Sequence, residues 1–317
     1  MPGNEALETK LRDLIAAAGC EAGVSVLHVE RDERTAIDGD RRFPACSVFK
    51  VPVLVEAFRQ ASTGEFSMLN RWTLEEDDKS VGSGVLQTLD ARLAPTVHDL
   101  LTLMIIISDN TAADILTRRL GPERITATMQ TLGLRNTWVT VTCRDMIASA
   151  FGPGDTRMLP AERSRIIKEH PPRPDSATYG DGRDNDVTTA GDIVDLFSFI
   201  QTGRNMDRIG LALDDCVRML RIVHRQQLND RLPRYLPPTL LFAHKTGSMG
   251  GAYEVHNDAG ILELPDGNHV AMAVFTRAPS PGLTGDPRAL TQLRRLLDDL
   301  IAEVGLAAFE HYVPADG

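Results

Sequence analysis

Hydrophobic residues recur along the chain at spacings that change from one region to the next. Over residues 7–18 they follow the period of an amphipathic helix, and GVSVLHVE at 23–30 alternates as a β-strand does. Over 44–201 the period is mostly helical, and Thr96 with Asp99 matches a capping box ahead of an apolar run. The middle of the chain is therefore predicted to be all-helical.

The last third of the chain becomes strand-like again. Three segments carry this pattern, at 240–244, 259–264 and 269–276. The PDGN sequence at 265–268 is typical of a hairpin turn between the last two. Apolar residues at helical spacing from Leu290 onward predict a final helix, with Pro287 at its first position and Asp286 as its cap.

Both chain ends thus combine helix with strand, and helices fill the region between them. We expect residues 1–42 and 236–317 to form one α/β domain, with 43–235 as an inserted helical domain. Residues 170–186 are dense in Pro, Gly and Asp, which predicts a long ordered loop of the kind that often covers an active site.

The composition is that of a globular protein with an acidic surface. The 317 residues are 42% hydrophobic and 25% charged, and the formal net charge is −10. This charge argues against nucleic acid as the main partner, because phosphate binding needs a cationic face. The longest apolar run, 100–107, is far shorter than the roughly 20 residues of a spanning helix, so no membrane span is expected.

Neither the cysteines nor the eight histidines point to a metal site. Cys20, Cys46, Cys143 and Cys216 lie far apart without a C-x-x-C pair, and the histidines are scattered singly. We expect free thiols and no metal or other cofactor. Because the first residues are charged where a signal peptide is apolar, we expect a cytoplasmic protein, or a periplasmic or secreted one whose leader has been removed.

A candidate nucleophile and a candidate base lie one helical turn apart. Ser47 and Lys50 form an S-x-x-K motif, and they share a helix face if Ser47 begins the helix that follows. A serine hydroxyl is a poor nucleophile until a base takes its proton, and a buried lysine with a lowered pKa can be that base. Alone, S-x-x-K arises by chance about once in a chain of this size.

A second polar motif, S-D-N at 108–110, directly follows the apolar run. Ser108 would relay a proton between Lys50 and a leaving group, and Asn110 would position Lys50 and an acyl substrate. A capped junction between two helices explains the same residues equally well.

A third motif, K-T-G-S, closes a predicted strand. Lys245 and the Thr246 hydroxyl suit a substrate carboxylate, Gly247 lets the backbone approach closely, and the Ser248 N–H completes an oxyanion hole. Taken singly, this motif is better explained as a strand ending in a turn.

Together, S-x-x-K, S-D-N and K-T-G in this order resemble the class A β-lactamase-like serine hydrolases of the penicillin-recognising superfamily. The resemblance extends to RRFPACSVFKVPVL, DLLTLMIIISDNTAADIL, DVTTAGDIVDLF, AHKTGS and DAGIL, and spans roughly residues 43–277. It implies an α+β fold in which a five-stranded antiparallel sheet is flanked by N- and C-terminal helices. It also implies an all-helical inserted domain and a catalytic cleft between the two domains.

The resemblance further implies roles for the motif residues. Ser47 would be acylated by an amide or ester carbonyl, with Lys50 as base, Ser108 as relay and the N–H groups of Ser47 and Ser248 as oxyanion donors. The implied substrate-binding residues are Asn110, Lys245, Thr246, Gly247 and Ser248.

One part of the family pattern is missing. Class A β-lactamases deacylate with the Glu of an E-x-x-L-N motif, which does not occur in residues 133–186, and simple register places Cys143 near that position. Glu162, Glu169 and Asp145 are candidate replacements, although solvated helix-face carboxylates explain the two glutamates better. Without a deacylation base the acyl-enzyme would be long-lived.

A second departure concerns an Arg that many class A enzymes carry on the strand after K-T-G. The nearest register here offers His256, Asn257 and Asp258, and Arg277 on a later strand is a candidate substitute. With this charge absent, anionic β-lactams would bind less well.

We prefer the hypothesis of an active-site-serine acyl hydrolase of class A β-lactamase type, a monomer acting on a small-molecule acyl substrate. One alternative is an esterase, D-Ala-D-Ala-type peptidase or transacylase with a substrate other than a β-lactam. Another is a penicillin-binding sensor that is acylated without turnover.

Overall fold

Seven strands occur in the residues that the computed structural model describes, 2–152, 172–280 and 287–313. They are β1 (Glu21–His28), β2 (Glu33–Ile37), β3 (Arg42–Pro44), β4 (Val187–Thr189), β5 (Phe242–Met249), β6 (Tyr253–Glu263) and β7 (His269–Pro279). Five of them form one antiparallel sheet in the order β2-β1-β7-β6-β5, which leaves β5 at an edge. β3 pairs with β4 in a small second sheet.

The described residues contain nine α-helices, and α1 and α9 lie where the hydrophobic pattern predicts helices. They are α1 (Pro2–Ala18), α2 (Lys50–Ser62), α3 (Val97–Ile106), α4 (Asn110–Leu120), α5 (Pro122–Thr131), α6 (Cys143–Phe151), α7 (Ala190–Thr202), α8 (Leu213–Val223) and α9 (Pro287–Tyr312). The capping box of α3 is confirmed, since Thr96 and Asp99 bond each other's backbone N–H. α9 begins at Pro287 as predicted, whereas its predicted cap, Asp286, lies outside the described residues. None of the described helices is long and apolar enough to cross a membrane.

Two hydrophobic cores cover the opposite faces of the five-stranded sheet. On one face, Val24 and Val26 of β1 pack with Leu11 of α1 and with apolar residues of α9. On the other face, Leu27 and Phe275 join the core of the helical region. Because successive strand residues point to opposite faces, β1 contributes to both cores, and each fully buried large side chain stabilises the fold by roughly 1.5–3 kcal/mol. The predicted α+β fold is confirmed.

Two predictions about this architecture are wrong in detail. β4 lies in the region predicted to be all-helical, because three-residue strands are too short to leave a periodic signal. K-T-G-S lies inside β5 and not at the end of a strand. Lys245 interrupts the apolar pattern there, although its side chain is fully buried.

Candidate active site

Ser47 lies in a short 3₁₀ helix, Cys46–Phe49, that leads directly into α2. The entry to this helix is fixed by Ala45, whose N–H donates to the Asp186 carbonyl at 2.8 Å. Cys46 adopts a left-handed conformation with a φ of 44°, which costs an L-residue roughly 1–2 kcal/mol and is held here by the surrounding structure. Ser47 is partly exposed, whereas its neighbours in the helix are buried.

Lys50 is completely buried one turn further on. Its Nζ donates to the Ser108 carbonyl at 2.8 Å, to Ser108 Oγ at 3.1 Å and to Asn110 Oδ1 at 2.8 Å. Burial lowers the pKa of Lys50, against the opposing effect of nearby acidic groups. A neutral amine has only two N–H groups, so loss of the proton releases one of these three contacts and frees a lone pair. Lys50 thus has the environment of a proton acceptor.

The S-D-N motif joins α3 to α4 and also faces Ser47. Ser108 has a φ of 58°, and Asp109 caps α4 by accepting from the Ala112 N–H at 3.0 Å. The second Asp109 oxygen accepts from the Val85 and Leu86 N–H groups at 2.7 and 2.9 Å. Asp109 therefore builds the capped junction between the helices, while Ser108 and Asn110 contact Lys50.

Strand β5 packs its backbone directly against the 3₁₀ helix of Ser47. A Cβ on Gly247 would lie 2.9 Å from the Ala45 carbonyl oxygen and 3.0 Å from the Ser47 nitrogen. Asn257 of β6 strengthens this contact by donating to the Pro44 and Ala45 carbonyls at 2.9 and 3.2 Å. The Lys245 side chain is buried and its Nζ donates to the Thr246 carbonyl at 2.7 Å, and burial together with the charge of Lys50 holds the pKa of Lys245 well below the ordinary value.

We expect Gly247→Ala to lower kcat/KM for hydrolysis of a chromogenic acyl substrate by roughly 100-fold, the cost of displacing reacting groups by about 1 Å. The added methyl group must push β5 away from the Ser47 backbone. Gly267→Ala in the β6–β7 turn is the control. Its added Cβ would have no atom within 4 Å, but the φ of +82° makes alanine unfavourable there, so this variant measures the effect of backbone strain alone. Equal activity losses in the two variants would contradict the close-approach argument.

The motif residues meet in one cavity of about 430 Å³. The lining includes Ser47, Ser108, Asn110, Thr246, Gly247 and Ser248. Lys50 and Lys245 lie buried behind this lining. In the described part of the chain, no three His, Cys, Asp or Glu side chains cluster as a metal site.

Arg231 is a site residue that no sequence motif revealed. Its Nη1 donates to the Gly247 and Asn257 carbonyls at 2.8 and 2.7 Å, and its Nη2 donates to Ser248 Oγ at 2.6 Å. Nε donates to Asp298 Oδ1 at 2.7 Å. A guanidinium has five N–H groups, so one on Nη2 is left beside Ser248 after these four contacts.

The family model of the β-lactamase enzyme family matches residues 6–312. The chain belongs to this family. A β-lactamase of Streptomyces lavendulae is 28% identical over 300 residues, covering 93% of this chain and 86% of that protein. The β-lactamase regulatory protein BlaB of Streptomyces cacaoi is 24% identical, covering 96% of this chain and 100% of that protein. The crystal structure of a β-lactamase from Sphaerobacter thermophilus is 26% identical with a TM-score of 0.74, covering 98% of this chain and 99% of that one.

This member of the β-lactamase enzyme family is a hydrolase of the serine β-lactamase type. Its cavity contains the thiol of Cys143, the residue that register in the sequence predicts near the position of the deacylating Glu. Cys143 is the first residue of α6, is buried, and lines the cavity. Burial and the nearby Asp114 raise the pKa of the Cys143 thiol, while the charge of Lys50 opposes that rise.

The three candidate deacylation bases are placed differently in this β-lactamase-family chain. Glu162 and Glu169 lie outside the described residues. Asp145 accepts from the Thr142 N–H at 3.0 Å and from Thr142 Oγ1 at 2.7 Å, which completes the capping box of α6. Asp145 does not occur in the cavity lining.

Residues 172–186 of the predicted loop are tied to the sheet. Tyr179 donates its hydroxyl hydrogen to the Gly250 carbonyl at 3.2 Å, and its own carbonyl accepts from Arg277 Nη1 at 2.7 Å. Arg277 also bonds Glu21, and it does not line the cavity. In this β-lactamase-family chain Arg231, and not Arg277, places a guanidinium beside K-T-G-S.

Proposed function

We propose that the chain is a class A-type β-lactamase in which Ser47 opens the β-lactam ring and carries the acyl group until water releases it. This proposal rests on one structural observation. Ser47, the Lys50 contacts with Ser108 and Asn110, and the K-T-G-S backbone meet in a single cavity.

Acylation in this geometry begins at Ser47. Neutral Lys50 takes the hydroxyl proton as Ser47 Oγ bonds the lactam carbonyl carbon. The N–H groups of Ser47 and Ser248 stabilise the oxyanion. When the ring C–N bond breaks, Ser108 passes the proton from Lys50 to the leaving nitrogen. The 3.1 Å contact between Lys50 Nζ and Ser108 Oγ supports this relay.

The K-T-G-S end of the cavity suits an anionic substrate. Thr246 and Ser248 line this end of the cavity, with Lys245 buried behind them and Arg231 Nη2 bonded to Ser248 Oγ at 2.6 Å. In this proposal Arg231, which lies behind Ser248 and outside the cavity lining, supplies the positive charge of the missing strand arginine, and this favours a β-lactam carboxylate over a neutral ester as ligand.

We expect Arg231→Leu to raise KM for benzylpenicillin by roughly 10- to 100-fold, since a hydrogen bond to a charged group is worth about 1.5–3 kcal/mol. KM for the neutral ester 4-nitrophenyl acetate should change far less. Arg234→Leu, which breaks an exposed pair with Asp299, is the control. Equal losses with the anionic and neutral substrates would show that Arg231 acts on the fold alone.

Mass spectrometry of the intact protein mixed with benzylpenicillin tests the proposed function. We expect a mass increase equal to one ligand, located by peptide mapping on Ser47, together with nitrocefin hydrolysis. A folded protein that shows neither an adduct nor turnover would overturn the proposal.

A second candidate function is a penicillin-binding sensor whose adduct persists. Cys143 favours it, because a thiol of raised pKa in the cavity of Ser47 is a poor general base for water. The regulatory name of the Streptomyces cacaoi relative is consistent with such a role. A penicillin adduct on Ser47 whose lifetime is many times the turnover time of an ordinary β-lactamase would indicate the sensor.

A further inference from the structure

The cavity continues past Ser248 of β5 to a charged cluster that the proposed chemistry does not use. Gly250, Glu254, His256 and Arg294 line this extension of the cavity. Two of these four residues carry opposite charges, so the extension can recognise charged groups of a ligand that also reaches Ser47.

Glu254 is the centre of the cluster and is only 2% exposed. It accepts from Arg294 Nε at 2.8 Å and from Arg294 Nη2 at 3.2 Å, and His256 Nε2 lies 3.6 Å away. Burial raises the pKa of Glu254, but the interactions with His256 and Arg294 outweigh that effect and hold it below the ordinary value. A carboxylate accepts about four hydrogen bonds, so Glu254 has acceptor capacity left.

Arg294 has donor capacity left at the same place. Its side chain is 48% exposed, and the pair with Glu254 uses two of its five N–H groups. The cluster therefore presents an ionised carboxylate and a partly free guanidinium side by side. Asp298, which also pairs with Arg231, bonds His256 Nδ1 at 2.7 Å and adds a further negative charge.

Gly250 lines the cavity and packs directly against this cluster. A Cβ there would lie 3.0 Å from Arg294 Nη2 and 3.1 Å from Glu254 Oε1. Gly250 follows β5 two residues after Ser248, on the side away from Thr246 and the leaving-group relay. Because Ser47, Gly250, Glu254 and Arg294 line one cavity, a group attached to Ser47 can reach the cluster.

We propose that Glu254 and Arg294 form a subsite for a zwitterionic α-amino acid group at the end of the substrate's acyl side chain. Glu254 binds the ammonium group and Arg294 binds the carboxylate. This inference rests on the proposed acylation of Ser47 and names the substrate class that the site prefers.

Three cephalosporins with the same acetoxymethyl nucleus test the subsite. Cephalosporin C carries a zwitterionic aminoadipyl side chain, glutaryl-7-aminocephalosporanic acid carries a carboxylate alone, and cephalothin is uncharged in its side chain. The measurement is the second-order rate constant of adduct formation, followed by mass spectrometry of the intact protein.

We expect Glu254→Gln to lower the rate ratio of cephalosporin C to cephalothin roughly tenfold, without lowering the ratio of the glutaryl compound to cephalothin. Arg294→Gln should lower both ratios. Gly250→Ala keeps every charge but crowds Arg294 and Glu254, and it should lower the rate ratio of cephalosporin C to cephalothin. Arg234→Gln, which breaks the exposed pair with Asp299, should leave all ratios unchanged.

The outcomes separate the two proposals. If all three compounds acylate Ser47 and the ratios do not respond to Glu254 or Arg294, the subsite is overturned and the proposed function stands. A parallel loss for all three compounds would show a purely structural ion pair and would also overturn the subsite. If no compound acylates the folded wild type, both proposals fail.

Discussion

The Ser47→Ala protein is expected to form no covalent adduct with benzylpenicillin and to hydrolyse nitrocefin at least about 10³-fold more slowly than the wild type. Removing a serine nucleophile alone costs up to about 10⁶-fold in kcat in enzymes of this chemistry. The loss should fall on kcat, because the cavity and the Lys245 region still bind the substrate.

The substitution should leave the fold intact. Ser47 is partly exposed, and the three acceptors of Lys50 Nζ are provided by Ser108 and Asn110. Replacing the hydroxyl therefore leaves the Lys50 contacts in place, and we expect the free energy of unfolding to change by about 1 kcal/mol or less. Ser62→Ala, an exposed hydroxyl on the adjoining helix α2, is the matched control. An adduct on the Ser47→Ala protein would show that another residue is the nucleophile.

The sequence predicted best the features that depend on neighbouring residues. The Thr96 and Asp99 cap of α3 is one example. The same T-x-x-D pattern in Thr142 and Asp145 indicates that Asp145 is committed to a cap, and the structure places its carboxylate on Thr142. This local pattern argues against Asp145 as a base for water.

Arg231 could not be predicted from any local pattern. It lies in the irregular segment between α8 and β5, and only the folded chain brings its guanidinium to Ser248. Its charge is compensated by Asp298 of α9, which is 67 residues away in sequence. Contacts between residues this far apart in sequence depend on how the helices pack on the sheet, and no short sequence motif encodes that packing.

The position of K-T-G-S within β5 shows how burial can defeat a hydrophobicity pattern. Lysine is almost never fully buried without a partner, so Lys245 marks the end of a strand when only the sequence is considered. The Thr246 carbonyl supplies that partner at 2.7 Å, and β5 continues to Met249. The buried lysine in the middle of β5 therefore belongs to the candidate active site and does not mark the end of the strand.

Replacing Cys143 by Glu should shorten the lifetime of the benzylpenicillin adduct by at least about 100-fold. A positioned general base contributes roughly 10²–10⁴-fold to proton transfer, and the wild-type thiol is a poor base for water. Cys143 and Ser47 line the same cavity, so a carboxylate at position 143 would act close to the Ser47 ester. The cavity of about 430 Å³ has room for the longer side chain.

The gain should increase with pH, because only the ionised carboxylate accepts a proton. Asp114, which accepts from the Cys143 N–H at 2.7 Å, disfavours a second negative charge, whereas Lys50 favours it. Cys143→Ala is the matched control, since it removes the thiol without adding a base and should leave the adduct lifetime unchanged. The lifetime is measured by mass spectrometry after unbound penicillin is removed. A folded Cys143→Glu protein whose adduct persists as long as that of the wild type would contradict the view that the missing carboxylate limits turnover.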